Sequence, residues 1–271
     1  EPKMTVSQMN FFERIVYLLQ EYGPSYLKGA GATLAIAVVS TAIGCLIGFV
    51  VGVIQTIPVD RKRDSLAKRG VLGVVKAVMK AYVELFRGTP MIVQATFIYY
   101  GMSQVFDIQL GMWSSAFLIV SINTGAYMAE SVRGGIISID PGQTEGAKAI
   151  GMNHVQTMCY VILPQALRNI MPQIGNNLII NIKDTSVLFS IGVTELFAVH
   201  RSVSGALYTY FESATIVMVV YLIMTVVCSR LLRIWERKMD GDANYELVDT
   251  MGIGDQLRTS NIEKRAERRK R

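Results

Sequence analysis

Charged residues are scarce in this chain, and where they are missing the sequence is apolar over long stretches. Only 18% of the 271 residues are Asp, Glu, Lys or Arg, whereas ordinary soluble domains contain about 25%. Hydrophobic residues make up 51% of the chain, and no charge occurs between Lys28 and Asp60. This composition excludes a disordered or fibrous chain, and the long apolar stretches argue against a soluble enzyme.

Residues that bind metals or act as nucleophiles are also few. The two histidines, His154 and His200, are too far apart for a zinc motif, and the three cysteines have no metal-ligand spacing. We therefore predict no metal site and no cofactor in this chain. The sequence contains no Gly-x-Ser-x-Gly nucleophile motif, no Gly-x-x-x-x-Gly-Lys-[Ser/Thr] phosphate loop and no Gly-Lys pair. The chain is not expected to be an enzyme or to hydrolyse ATP itself.

Five stretches are apolar enough to cross a membrane as helices. Four of them, residues 30–54, 88–106, 108–129 and 213–229, approach the ~20 residues that a helix needs to cross the ~30 Å hydrocarbon core. The fifth, residues 169–182, is shorter and more polar. We interpret it as a spanning helix with a broken end, and a re-entrant or interfacial segment is the alternative. The predicted fold is an all-α polytopic membrane protein with five transmembrane helices.

The basic residues predict which way the chain threads through the membrane. Residues 60–69 contain five Lys and Arg, and the C-terminal end is rich in both, whereas the connections around Asp107 and His200 carry almost none. Because basic loops stay in the cytoplasm, we predict an outside N-terminus and a cytoplasmic C-terminus. The corresponding division is an extracytoplasmic segment at 1–29, a transmembrane domain at 30–236 and a charged cytoplasmic tail at 237–271.

Two further segments carry charge in patterns that predict their surroundings. Lys76, Lys80 and Glu84 form one charged face on the otherwise apolar stretch 71–86, which predicts a helix at the inner membrane surface or a span with a hydrated end. The tail has five acidic residues and no basic one between 240 and 255, so we expect it to be solvated and partly disordered. The positive charge at the end of the tail is explained by the rule that basic segments stay in the cytoplasm. We predict that this end contacts lipid and does not bind nucleic acid.

Three glycines recur in the first predicted span. Gly44, Gly48 and Gly52 are four residues apart and therefore share one helix face. Glycine there allows another helix backbone to approach closely, so we predict a helix-packing face and assign no ligand to it.

The predicted cytoplasmic loop, residues 138–165, begins with the signals of a short helix. Asp140 is suited to the N-cap, Pro141 to the first helical position, and Gln143 to completing a capping box. The helix should end near Gly151, where glycine can adopt a positive φ.

A second helix is predicted to follow at once in the same loop. Asn153 and Gln156 repeat the capping pattern, and the helix is expected to run to Pro164. Ala147 and Ile150 lie on one side of the first helix. We expect them to form a small apolar surface that a partner protein covers.

This loop resembles the EAA loop of permease subunits of ATP-binding-cassette (ABC) importers. The matching positions are Glu145, Ala147, Gly151, Val161, Leu163 and Pro164, with Gly146 in place of the usual alanine and Val161 in place of isoleucine as mild departures. Three further segments look like the polar-amino-acid branch of that family, namely ELFRGTPMIVQ at 84–94, AYMAESVRGG at 126–135 and KDTSVL at 183–188. Together these segments extend the resemblance over roughly residues 25–235.

The resemblance implies the type I importer fold and a transmembrane permease subunit of an ATP-driven importer for polar amino acids, in the inner membrane of a bacterial cell. Two permease subunits, identical or different, would pair. Cytoplasmic ATPase subunits would bind ATP and Mg²⁺, and an extracytoplasmic amino-acid-binding protein would deliver the substrate. The coupling helix would lie at 145–151, with Glu145, Ala147, Ile150 and Gly151 as the ATPase-coupling residues.

Polar side chains inside the predicted spans form two stripes. Amide and charged side chains at membrane depth usually mark a pathway or a pair. Asn123, Tyr127 and Glu130 are spaced four and three residues apart on the third span, and a polar series from Gln173 continues along the fourth. The predicted substrate-pathway residues are Gln94, Asn123, Tyr127, Glu130, Asn177, Asn181, Asp184, Thr185 and Ser186.

A zwitterionic amino acid needs an acid for its ammonium group and hydrogen-bond donors for its carboxylate. Asp184 or Glu130 could supply the acid, and Thr185, Ser186 and backbone amides at a broken helix could supply the donors. The alternative is purely structural, with Glu130 paired to Arg133 three residues away and Asp184 paired to a neighbouring lysine or another span.

A secondary amino-acid carrier or channel without an ATPase partner is the alternative function. Such carriers usually contain paired internal repeats. Five spans do not divide evenly and the sequence shows no repeat, so the importer subunit is favoured.

Overall fold

The computed structural model of the chain describes residues 8–59 and 65–240, with side chains described to residue 236. Helices account for nearly all of this part of the chain, and it contains no β-strand. In chain order the elements are α1 (Phe11–Thr56), α2 (Leu66–Gly88), α3 (Met91–Phe106), α4 (Met112–Ile137), α5 (Pro141–Ala149), α6 (His154–Gln156), a π-helical segment (Thr157–Ile162), α7 (Leu163–Asp184), a 3₁₀ segment (Thr185–Ile191), α8 (Leu196–Leu207) and α9 (Tyr210–Asp240). The predicted all-α fold is confirmed here.

The chain divides into two compact units, Glu1–Leu232 and Arg233–Arg271. Of the second unit the structure describes only residues 233–240, which form the end of α9. The acidic stretch and basic end predicted for the tail therefore lie outside the described residues, apart from Asp240. Residues 60–64, which hold part of the predicted basic loop, lie outside them as well.

α1 is longer than the first predicted span. It has 46 residues, or about 69 Å of helix at 1.5 Å per residue. A capping box starts it, because the Asn10 side chain accepts from the Glu13 N–H (3.0 Å) and the Glu13 carboxylate accepts from the Asn10 N–H (2.8 Å). Leu18 is fully buried, so one face of the first turns is already packed. The boundary predicted between residues 29 and 30 falls inside this helix.

α1 and α4 run side by side in the same direction. Three glycines of α1 each face one residue of α4: Gly44 faces Thr124, Gly48 faces Met128 and Gly52 faces Val132. Residue numbers therefore rise together along both helices. A Cβ added to Gly44 would lie 2.6 Å from the Cβ of Thr124. Such a close backbone approach requires glycine, which confirms the predicted packing face.

α7 packs against α4 in the opposite direction. Gly135 faces Ile170 near one end of the pair, and Asn181 donates a hydrogen bond to Thr124 (2.9 Å) nearer the other end. α4 and α7 are therefore antiparallel, and the loop at 138–165 joins them. This places the predicted polar stripes of the two helices on neighbouring elements.

A helix break lies at the start of the second predicted span. α2 ends at Gly88 and α3 begins at Met91 after Pro90, which has no backbone N–H to continue a helix. The chain therefore leaves the helical conformation at Thr89–Pro90. Lys76, on the charged face of α2, donates to the carbonyl of Ile57 (2.5 Å) at the end of α1.

The loop between α4 and α7 contains the predicted short helix. Asp140 caps α5 by accepting from a backbone N–H in the first turn (2.6 Å), α5 begins at Pro141, and Gly151 has a φ of 84°. The predicted capping box is not formed. The side-chain oxygen of Gln143 instead accepts from the amide of Gln165 (3.3 Å), which is brought near by the fold of the loop.

The second helix of the loop starts as predicted and ends elsewhere. Asn153 and Gln156 form a capping box at the start of α6. The helix then continues through the π-helical segment into α7 without a break. The end predicted at Pro164 is therefore wrong.

A widened turn explains why the proline does not stop this helix. Pro164 cannot donate a backbone hydrogen bond, and a π-helical turn shifts the bonding pattern by one residue. The N–H of Leu163 reaches the carbonyl of Met158, and the side chain of Gln165 donates to the carbonyl of Val161 (2.7 Å).

Two helices are long and apolar enough to cross a membrane by length and composition alone, namely Phe11–Thr56 and Tyr210–Glu236 within the described ranges. The other predicted spans lie on α3, which has only 16 residues, and on α4 and α7, which do not meet the same criterion. The five crossings stay a prediction.

Candidate functional site

A groove of about 510 Å³ opens between the second half of α4 and the first half of α7. Tyr127 and Glu130 face it from α4, Asn177 faces it from α7, and Arg87 reaches it from the end of α2. The groove lies at the end of these helices that carries the loop 138–165. It therefore brings together parts of both predicted polar stripes.

The charged groups of the groove are clustered. Arg133 donates through Nε to one oxygen of Glu130 (3.2 Å) and through Nη2 to the other, while Nη1 of Arg87 lies 3.9 Å from Glu130 Oε2. The guanidinium of Arg87 also lies 5.7 Å from the centroid of the Tyr127 ring, within cation–π range. The pair between Glu130 and Arg133, predicted as the structural alternative, is present. Glu130 nevertheless keeps 34% of its side chain exposed, so it remains accessible from the groove.

Amide side chains form the α7 wall of the groove. Gln173 and Asn176 are exposed, and Asn169 donates to the hydroxyl of Ser138 (3.2 Å). Asn177 is mostly buried and donates to the carbonyl of Gln173 (2.9 Å). Because an amide can both donate and accept, this wall can bind a polar solute of either hydrogen-bonding character.

Gln94 and Asn123, two predicted pathway residues, do not line the groove. Gln94 donates to the carbonyls of Phe86 and Thr89 (both 2.9 Å), and Asn123 donates to the Gln94 side-chain oxygen (2.9 Å) and to the Phe86 carbonyl (3.3 Å). The Phe86 carbonyl needs these partners because the residue four positions later is a proline, which has no N–H. Both amides therefore stabilise the helix junction next to Arg87.

Asn181 is also directed away from the groove. It is 3% exposed, and its amide donates to the hydroxyls of Thr41 (2.7 Å) and Thr124 (2.9 Å). A spacing of four residues turns about 40° around a helix at each step, so a stripe that begins at Gln173 has rotated away by Asn181. This residue joins α7 to α1 and α4 and does not line the groove.

The remaining predicted pathway residues lie at the other end of α7, outside the groove. Asp184 is the exposed last residue of α7. Thr185 is fully buried and its hydroxyl donates to the carbonyl of Ile182 (3.0 Å), whereas Ser186 is half-buried. The 3₁₀ segment begins here, which agrees with the broken helix end predicted from the sequence.

The predicted coupling residues lie on and just after α5. Glu145, Ile150 and Gly151 are exposed, but Ala147 is only 5% exposed. The prediction that Ala147 and Ile150 form an exposed apolar surface is therefore wrong for Ala147. The short helix folds back on the loop and covers this alanine. Ile150, which directly follows α5, is 79% exposed.

The loop carries further exposed apolar side chains. Val155 and Tyr160 are 67% and 75% exposed. Neither was predicted.

Arg87 was missed by the sequence reasoning, although it lies within the ELFRGTP segment that carries the resemblance. A cation in the last turn of a helix that ends at a proline break was the available signal. Asn169 and Asn176 were missed too, although they are spaced four and three residues from Gln173 and so share its helix face.

Nothing in the described ranges gathers three or more His, Cys, Asp or Glu side chains into a group that could hold a metal ion. A groove of amide, guanidinium and carboxylate groups between apolar helices is typical of membrane transport proteins.

The family model described as the inner membrane component of binding-protein-dependent transport systems matches residues 65–241. The chain is 37% identical over 219 residues to the glutamine transport system permease protein GlnP of Escherichia coli (strain K12), covering 80% of this chain and 93% of that protein. It is 32% identical over 216 residues to the arginine transport system permease protein ArtQ of Bacillus subtilis (strain 168), again covering 80% and 93%. The chain belongs to this family of inner membrane transport components.

Solved structures agree with this assignment. The crystal structure of an amino acid ABC transporter with histidines matches with a TM-score of 0.72 and 32% identity, covering 85% of this chain and 99% of that one. The inward-facing MetNI methionine ABC transporter shares the fold at a TM-score of 0.61 and 19% identity, covering 78% and 96%.

The chain is therefore the permease subunit of an ABC importer and not an enzyme. ATP is hydrolysed by a separate subunit, and the family works with ATPase and substrate-binding-protein partners.

Proposed function

We propose that this permease subunit forms the translocation path for polar amino acids, and that the groove between α4 and α7 is part of that path. The observation that carries the proposal is the polar lining of the groove by Arg87, Glu130 and the amides of α7. Polar groups are costly between membrane helices and are retained where a polar solute passes. The relatives that carry glutamine and arginine in their names support the substrate class.

We further propose five crossings, with the N-terminus outside and the C-terminus in the cytoplasm. α1 and α4 run parallel and α7 runs antiparallel to them, which is the alternation that this threading requires. α9 begins beside the first half of α1, where the hydroxyls of Tyr26 and Ser213 are 2.7 Å apart. The basic segment after α1 supports a cytoplasmic position for that end.

The path would extend from the groove toward the other end of α7. Asp184 and Ser186, next to the 3₁₀ segment, are proposed for its outer part. Thr185 is left out, because its hydroxyl is buried and bonded to the carbonyl of Ile182.

We propose that the loop 138–165 docks on the cytoplasmic ATPase subunit, which binds ATP and Mg²⁺. Glu145, Ile150 and Gly151 are exposed for this contact, and Ala147 supports the loop from within. A second permease subunit, identical or different, is proposed to close the open side of the groove. The amino-acid-binding protein would deliver substrate on the opposite side, lipid would surround the apolar helices, and no nucleic-acid partner is proposed.

The path can be blocked without disturbing helix packing. Gly134 lines the groove, and a Cβ added to it would meet no atom within 4 Å. The complex of this chain with its ATPase and binding protein is reconstituted in vesicles and supplied with ATP and a panel of polar amino acids. Gly134→Trp should abolish uptake while the complex still assembles, because the indole fills the groove.

Gly73→Trp is the matched control. Gly73 lies on α2 outside the groove, also with open space around an added Cβ, and uptake should stay close to wild type. Normal uptake by Gly134→Trp would contradict the proposed path. ATP-independent uptake by the wild type would favour the secondary carrier or channel.

A further inference from the structure

Positive charge exceeds negative charge in the cluster at the groove. Arg87 and Arg133 carry one positive charge each, and Glu130 carries the negative one. Arg133 donates to both oxygens of Glu130, whereas Arg87 stays 3.9 Å from the nearer of them. Charges at membrane depth are costly unless they are balanced. One further negative group beside Arg87 would balance the cluster.

Arg87 is held in a position to bind such a group. Its side chain lines the groove and is 42% exposed, and its guanidinium lies over the Tyr127 ring. The backbone just before it is fixed by Gln94 and Asn123, which donate to the Phe86 carbonyl at 2.9 and 3.3 Å. A guanidinium presents paired N–H groups that match the two oxygens of a carboxylate.

We propose that Arg87 is the carboxylate-binding residue of the path, and that it binds the α-carboxylate of the transported amino acid. Gln94 and Asn123 are positioning residues that act through the end of α2. The inference rests on the proposed function and adds to it a specific contact for one chemical group. With the carboxylate at Arg87, a polar substrate side chain is expected on the side of Gln173.

The experiment compares ligands that differ only in the α-carboxylate. Radiolabelled L-glutamine and L-arginine are bound at equilibrium to the full chain purified with its ATPase subunit, and the α-amide of each amino acid is used as competitor. The wild type should prefer the free carboxylate by about 10- to 100-fold, the usual effect of a charge-assisted hydrogen-bonded pair. Arg87→Gln should lose this preference and keep the affinity for the α-amide.

Arg168→Gln is the matched control. Arg168 is an exposed arginine on α7 that does not line the groove, so the preference should stay as in the wild type. Arg87→Lys keeps the charge but not the paired donors, and should retain an intermediate preference. Arg87→Lys also tests the proposal if the Arg87→Gln variant does not fold.

The positioning residues give a second readout. Gln94→Leu removes the donor to the Phe86 carbonyl and should lower carboxylate affinity more than α-amide affinity. A residue with a merely structural role would lower both affinities by the same factor.

Two outcomes separate this inference from the proposed function. If Arg87→Gln weakens the carboxylate and the α-amide equally, or leaves their ratio unchanged, Arg87 does not bind the carboxylate, even when the complex transports normally. If the wild-type complex takes up neither amino acid in an ATP-dependent way, the proposed function fails first.

Discussion

The contact between α1 and α4 can be tested by adding a single methyl group. A Cβ at Gly48 would lie 2.8 Å from the backbone nitrogen of Ala129 and equally close to the carbonyl carbon of Met128. Ordinary contacts of this kind begin near 3.4 Å. Since these are backbone atoms, α4 itself would have to move. Overpacking of this kind costs about 1–3 kcal/mol, so Gly48→Ala should destabilise the chain.

Gly31→Ala is the control on the same helix. Gly31 is exposed, and an added Cβ would meet nothing within 4 Å. There the better helix propensity of alanine should stabilise the chain by about 0.5–1 kcal/mol. Because alanine has the same propensity advantage at both positions of α1, the two variants should differ by the overpacking cost, about 1–3 kcal/mol in free energy of unfolding.

The assay is denaturant-induced unfolding of the detergent-solubilised full chain, followed by circular dichroism. Gly48→Ala should unfold at a lower denaturant concentration than the wild type, and Gly31→Ala at an equal or higher one. If Gly48→Ala were as stable as Gly31→Ala, the close parallel packing of α1 and α4 would be refuted.

Two further predictions concern the buried amide and the loop. Asn181→Ala leaves the hydroxyls that it bonds on α1 and α4 without their amide partner. It should lower the free energy of unfolding by about 1–2 kcal/mol. Asn176→Ala, an exposed amide on the same helix, should change it by less than about 0.5 kcal/mol, and equal losses would contradict the packing role. Ala147→Glu places a charge at a buried position and should destabilise the loop, seen as faster proteolysis. Ile150→Glu should leave proteolysis unchanged and weaken co-purification with the ATPase subunit. Unchanged co-purification would argue against docking through this side chain.

Local signals in the sequence were enough to predict the helix ends that depend on neighbouring residues. Asp140 and Asn153 act within one turn of the chain, so their effects follow from capping. Pro164 lacks a backbone N–H and was expected to end a helix for that local reason, but this prediction was wrong. A π-helical turn precedes Pro164 and the Gln165 side chain donates to the Val161 carbonyl, and no helix-ending rule includes either feature.

The roles of the polar residues needed the tertiary structure. Spacing correctly indicated that Tyr127, Glu130 and Asn177 lie on polar faces, and the fold brings these faces together at one groove. Spacing could not reveal that Gln94 bonds Asn123, because these residues lie on different helices. A stripe with a period of four also drifts around a helix with 3.6 residues per turn, which removes Asn181 from the groove.

A passage for amino acids that a separate ATPase subunit operates should be inactive without that subunit. We would measure uptake of radiolabelled L-glutamine and L-arginine into vesicles that contain the chain with or without its ATPase subunit, each with binding protein, ATP and an imposed ion gradient. Uptake should require the ATPase and ATP, and the ion gradient should not replace them. Uptake by the chain alone, driven by the gradient, would contradict the claim.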